Sequence, residues 1–323
     1  MDDNILEIHD LVVEYHTDEA VVHAVNNVNL NVKRGETIGL VGETGAGKTT
    51  IARSILRILQ TPPAKFCGGR IIFENQDLME LTEKQMKKVR GDKIAMIFQD
   101  PMTALNPIER VGFQISEAIG LHNDVNRIEA EEKACDMLEM VGIPNYRYKE
   151  YPHQFSGGMK QRVVIAMALA CNPVLLLADE PTTALDVTIQ AQVLEMMQSL
   201  VEKLGTSVVM ITHDLGVVAD CCDSVAVVYA GEIVEYGTAA HIFKHSAHPY
   251  TIGLFNSLPR LNSKERRLKP ISGLMPDPTN LPKGCKFCER CPEATDRCAE
   301  EPPGTTEVSP GHLVKCILSE VSV

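Results

Sequence analysis

Apolar residues recur along the chain with two spacings, and the two alternate. Short β-branched or apolar runs at residues 37–41, 93–98, 174–178, 207–211 and 224–229 have the length and composition of buried strands. Between them, residues 49–59, 158–170 and 189–204 place apolar side chains every three or four positions, as an amphipathic helix does. Strands alternating with helices predict an α/β fold, a largely parallel sheet with helices on both faces. The first 35 residues differ. Residues 5–15 and 21–32 read as strands joined by a polar turn, so an antiparallel β subdomain is expected beside the core. Residues 101–157 read as mostly helical, with 115–120 and 128–141 the clearer segments, and predict a helical insertion between two core strands.

Composition changes near residue 260. Eight of the 18 prolines (Pro270, Pro276, Pro278, Pro282, Pro292, Pro302, Pro303 and Pro310) fall in the final 64 residues, a density that forbids long helices and central strands. That segment is expected to be a small irregular appendage held by something other than a large core. The expected division is therefore 1–259 and 260–323. The appendage also carries five of the ten cysteines: Cys285, Cys288, Cys291, Cys298 and Cys316.

The longest apolar stretch, residues 163–171, resumes at Val174 only after Asn172-Pro173, far short of the roughly 18–20 residues that span a bilayer. The start, MDDNILEIHD, has no basic segment followed by an apolar one, so no secretory leader and no disulfides are expected. With 31 Lys+Arg against 43 Asp+Glu the net charge is −12, which argues against a nucleic-acid backbone as main partner.

Residues 42–49, GETGAGKT, fit G-x-x-x-x-G-K-[ST] between a predicted strand and a predicted helix. The stretch Gly42, Glu43, Thr44, Gly45, Ala46, Gly47 lets the backbone wrap so that successive N–H groups face phosphate oxygens, and the helix start near Lys48 adds its positive end. Lys48 is expected at the β- and γ-phosphates, Thr49 at Mg²⁺ and Thr50 at a further phosphate oxygen. The run 174–178 ends in Asp179-Glu180, the carboxylates expected at the ligand edge of a sheet. Asp179 suits Mg²⁺, and Glu180 suits the attacking water.

SGGMKQR at 156–162, just before that strand, resembles the signature sequence of ATP-binding cassette ATPases. In the same order Tyr15 matches the aromatic that stacks on adenine, and Gln99 in IFQDP matches the Q-loop. Ala184-Leu185-Asp186 matches the D-loop and His213 in ITHDL the switch histidine. The resemblance implies a RecA-like P-loop ABC core, Mg²⁺ held by Thr49, Gln99 and Asp179, and Glu180 and His213 as the catalytic pair. It also implies that Ser156, Gly157, Gly158 and Asp186 serve ATP on a partner subunit. A single motif set predicts half of a dimer, and the insertion, with IFQDPMTALNP, is expected to meet membrane subunits.

Cys285, Cys291, Cys298 and Cys316, together with HPYTIGLFNSLP at 248–259, resemble the C-terminal extension of dipeptide and oligopeptide importer ATPase subunits. Four cysteines suit Zn²⁺ or an iron–sulfur cluster. The resemblance implies a [4Fe–4S] centre, chiefly structural, with Cys288 a spare fifth candidate. Adjacent Cys221-Cys222 are expected to be packing thiols. The implied partners are a second ABC ATPase subunit, a paralogue or another copy, two transmembrane permease subunits, and a solute-binding protein outside the membrane. The implied location is the cytoplasmic face. The rival expectations are a soluble ABC ATPase acting on nucleic acid or ribosomes, and an importer ATPase for another solute such as nickel.

Overall fold

The computed structural model describes residues 3–183, 185–257 and 270–320. The expected boundary at 259/260, Ala184 of the D-loop and the last two residues of HPYTIGLFNSLP lie outside them. The strands are β1 (Asn4–His16), β2 (Val21–Lys33), β3 (Thr37–Val41), β4 (Ala64–Phe73), β5 (Gln76–Asp77), β6 (Ile94–Ile97), β7 (Leu175–Asp179), β8 (Ser207–Thr212), β9 (Ser224–Tyr229), β10 (Glu232–Thr238), β11 (Thr306–Ser309) and β12 (His312–Val314). The chain forms two compact units: Met1–Ile5, Val32–Thr37 and Glu74–Ile211; and Leu6–Asn31, Ile38–Phe73 and Thr212–Val323.

In the first unit β6, β7 and β8 pair in parallel, with Leu175 opposite both Ile94 and Ser207. Every residue of β7 is buried, which is why its sequence runs apolar from Leu175 to Ala178 rather than alternating. The insertion is built from helices Val111–His122 and Arg127–Met140. They bury Ile115, Ile119, Ala134 and Leu138. The second helix opens with a reciprocal cap, Asn126 accepting from Ile128 and Glu129 while Glu129 reaches back to the Asn126 N–H.

In the second unit β1 pairs antiparallel with β4, and β3 runs parallel to β9. β9 turns into β10 through Ala230-Gly231, both at positive φ. The helix expected over 49–59 ends at Ile55. Arg57 takes φ 51°, its N–H bonds to Ser54 O and that of Ile58 to Arg53 O, a left-handed stop made without glycine.

The tail is less irregular than its proline content suggests. β12 joins β10 antiparallel, Glu235 opposite Val314, and β11 pairs with β12. Prolines do not obstruct this hairpin, because Pro302 and Pro303 precede β11 and Pro310 lies in its turn beside Gly311 at φ 73°. Beneath the seam, the fully buried Glu235 carboxylate bonds to His312 Nε2 at 2.8 Å and accepts from Ala247 N–H at 2.7 Å and His248 N–H at 3.1 Å.

Candidate nucleotide site

The phosphate loop lies in the second unit. Gly47, at φ 103°, precedes helix Lys48–Ile55, and a Cβ there would come within 2.5 Å of Ala24 O, so this position requires glycine. Lys48 is nearly buried, and its Nζ donates to the carbonyls of Gly42 at 2.7 Å and Glu43 at 2.9 Å. The ammonium thus already sits in the concavity of the loop, ready to exchange carbonyls for phosphate oxygens. Tyr15 on β1 shares a hydrogen bond of 3.2 Å with Thr50 Oγ1, which brings the expected adenine platform to the same loop. Thr49 follows Lys48 in the first helical turn, and His213 is exposed just beyond β8.

Sequence reasoning missed what fixes this loop from outside. Arg290, between Cys288 and Cys291, donates Nη1 to Glu43 Oε2 at 2.8 Å and Nη2 to Glu43 Oε1 at 3.0 Å, a fork on the second residue of GETGAGKT. Its Nε donates to Ser272 O at 3.0 Å, and Nη1 also donates to the Tyr229 hydroxyl at 3.3 Å. Burial opposes the Arg290 charge, but the Glu43 and Tyr229 bonds outweigh it and hold the guanidinium above its ordinary range. The Tyr250 hydroxyl accepts from Glu43 N–H at 2.9 Å. Tyr250 packs with Tyr229 and Phe287, ring centroids 4.5 and 5.4 Å away. No short spacing links these residues, so no local signal could have found them.

In the first unit Gln99 Nε2 donates to Glu180 Oε2 at 2.7 Å, and Thr183 Oγ1 donates to the same oxygen at 2.9 Å. Glu180 holds φ 47°, a strained position pinned by its N–H bond to Ile211 O. Asp179 ends β7 and is buried. Asp179 and Gln99 offer carboxylate and amide oxygens, hard donors of the kind Mg²⁺ takes.

Ser156 caps helix Gly157–Leu169, accepting from Met159 N–H at 3.4 Å, and Ser156 and Gly157 are exposed at that helix's positive end. Gly158 is needed for close approach, since a Cβ would lie 2.5 Å from Ile189 Cγ2 in helix Val187–Leu204. Asp186 caps that helix through Ile189 N–H at 3.0 Å, so signature and D-loop are packed together. Arg147 braces the signature from the insertion, bonded to Glu150 at 2.7 Å and Gln154 O at 3.1 Å and stacked 4.4 Å from the Phe155 ring.

The tail cysteines form a half-buried to buried group. Cys285 is pushed up to about 11 by burial first and then by neighbouring Cys316, Cys298 and Cys291. Backbone N–H groups of Phe287, Glu293, and Leu318 and Ser319 donate to the sulfurs of Cys285, Cys291 and Cys316 respectively. Thr295 Oγ1 lies 3.2 Å from Cys298 Sγ. Each of the four thus has a hydrogen-bonding partner, whereas none is described for the Cys288 sulfur. No three tail sulfurs lie within 4.8 Å of one another. Burial raises Cys221 and Cys222 to about 11 and about 12, as inert packing thiols.

These motifs on an α/β core define an ATP-binding cassette ATPase. Residues 25–183 match the ABC transporter family, and residues 234–298 match the oligopeptide/dipeptide transporter C-terminal region. The chain is similar to the probable peptide ABC transporter ATP-binding protein y4tR of Sinorhizobium fredii, 51% identical over 97% of this chain and 95% of that one. It is 51% identical to the oligopeptide transport ATP-binding protein OppD of Bacillus subtilis over 96% of this chain and 88% of that one. Its fold is similar to the ATP-binding cassette MJ0796, solved as a post-hydrolysis dimer with ADP and Pi, at TM-score 0.65 and 29% identity over 72% of this chain and 98% of that one. The chain belongs to the family of ATP-binding subunits of oligopeptide and dipeptide ABC transporters. Among the described residues no helix is long and apolar enough to cross a membrane.

Proposed function

We propose that the chain is the ATP-hydrolysing, energy-coupling subunit of a dipeptide or oligopeptide importer. It would be peripheral on the cytoplasmic face, beneath two permease subunits fed by a solute-binding protein. The observation that carries this reading is similarity to peptide-transport ATP-binding proteins along almost the whole chain, the C-terminal region included. One motif set per chain calls for a second ATPase subunit, a paralogue or another copy. ATP then lies between the phosphate loop of one subunit and Ser156, Gly157 and Gly158 of the other.

Within that reading Tyr15 stacks on adenine, and Lys48 releases the Gly42 and Glu43 carbonyls to take the phosphates. Thr49, Gln99 and Asp179 would hold Mg²⁺, which would offset phosphate charge. Glu180 gives up its bonds to Gln99 and Thr183 to accept a proton from water, and His213 steadies the γ-phosphate. Loss of that phosphate separates the halves, and Gln99 passes the change to the insertion.

The tail fits a [4Fe–4S] centre on Cys285, Cys291, Cys298 and Cys316, with Cys288 spare. Its support is the hydrogen bonding at all four sulfurs, from backbone N–H groups to Cys285, Cys291 and Cys316 and between Thr295 and Cys298. Such a cluster would tie together a segment with little core of its own. Cys298→Ser should lose the brown colour and disorder the tail, and retention of both would overturn the assignment.

The transport reading is tested by co-purification with membrane partners and ATPase assays with dipeptides and longer peptides. Stimulation by peptide through an associated permease is expected. No associated permease, with stimulation by RNA or nickel instead, would overturn it.

A further inference from the structure

Three adjacent strands bring four metal-ligating side chains to one patch away from the phosphate loop. Glu14 and His16 are two apart on β1 and share a face, whereas Tyr15 between them points to the other. His16 Nε2 lies 2.7 Å from Glu14 Oε2, and Cys67 Sγ on β4 lies 3.2 Å from the same oxygen. His23 Nδ1, on β2, lies 3.1 Å from the other carboxylate oxygen. Cys67 is the extra residue of a bulge, since Val12 pairs with Gly68 and Val13 with Phe66. A bulge of this kind re-aims a side chain.

We propose that Glu14, His16 and Cys67 form a binding site for a zinc-class divalent cation, with His23 as the positioning residue that holds the carboxylate. The ligand atoms of Glu14, His16 and Cys67 all lie within 4.8 Å of one another, the only such set among the described residues. Nitrogen, carboxylate oxygen and sulfur together are the donors of a borderline-soft ion, not of Mg²⁺ or Ca²⁺. Three protein ligands leave a fourth position for water, and His16 and His23 are exposed enough to admit the ion from solvent. The Cys67 S–H that now points at Glu14 is the proton the cation displaces, while His16 would ligate as a neutral imidazole. Lys65, opposite Glu14 across the β1–β4 pair, offsets part of the negative charge left behind. Because Tyr15 sits between two ligands, occupancy also stiffens the strand that carries it; this consequence rests on the nucleotide role proposed above.

The test is calorimetric titration of the full chain with ZnCl2, comparing wild type with Cys67→Ser and Glu14→Gln, the tail cysteines left intact. Wild type is expected to bind one more equivalent than either variant. His23→Ala should keep that equivalent with affinity lowered roughly 10–100-fold. With Co²⁺ as probe, part of the sulfur-to-metal absorption should vanish in Cys67→Ser. Equal stoichiometry in wild type and both variants, with folding confirmed by circular dichroism, would overturn the site. Zinc is expected to change ATP-analogue affinity in wild type and not in Cys67→Ser. An added equivalent without that change would leave the site standing and overturn only the link to Tyr15.

Discussion

Replacing Arg290 with Ala removes the fork on Glu43, the bond to Tyr229 and the hold on Ser272 at once. The side chain is 6% exposed and Glu43 29%. Breaking a fully buried pair costs about 3–5 kcal/mol, but water can reach the exposed part of Glu43, so about 2 kcal/mol of stability is expected to go. Glu43 also lends its carbonyl to Lys48 and its N–H to Tyr250, so its release loosens the loop that must close on phosphate. If about 1 kcal/mol of that loss reappears as the cost of reordering the loop, ATP affinity falls roughly five-fold. The assay is equilibrium binding of a fluorescent ATP analogue with urea melts, run as a cycle of Arg290→Ala, Glu43→Ala and the double variant, iron content being checked in each. Coupling of about 1–2 kcal/mol is expected. Additive effects, or unchanged ATP affinity in Arg290→Ala, would refute the idea that the tail braces the loop.

Three further outcomes follow from other contacts. Glu180→Gln should lower hydrolysis about 10²–10⁴-fold and trap an ATP-bound dimer on gel filtration, whereas fast turnover would remove Glu180 from the role of base. Gly158→Ala should cost about 1–3 kcal/mol through its clash with Ile189, and Ile189→Ala in the same chain should recover much of that in a thermal melt. Burial lowers His248 to about 4, against a bond to the Lys315 carbonyl that raises it. The folded state therefore resists protonation: stability is full above the ordinary histidine value of about 6.5 and falls as pH drops from there towards 4, by at most about 3 kcal/mol. Urea midpoints of His248→Asn should lack that slope, and identical pH dependence in both proteins would exclude His248 as its source.

The alternation of apolar spacing was enough to locate β3, β6 to β9 and the principal helices, because their side chains are buried in regular rows. Helix ends were less legible. Arg57 stops its helix in a left-handed conformation that no residue type announces. The motif residues were legible because each is a chemical type at fixed spacing beside a strand end. Arg290, Arg147 and Tyr250 were not, since each works on a residue distant in sequence. β10 to β12 escaped for another reason. Short strands that complete an existing edge need only a few backbone bonds, and residues such as Thr306–Ser309 carry little apolar signal.

The seam between β10 and β12 bears on how the chain is made. β10 ends at Thr238 and β12 begins at His312, so some seventy residues separate them during synthesis, several seconds at ribosomal speed. Throughout that interval β10 offers an open edge, with the carboxylate of Glu235 still lacking His312. A nascent chain stalled before the final hairpin is thus a template for strand pairing between molecules. The finished one ends the sheet in β11, a short edge that carries Glu307 and invites no further strand.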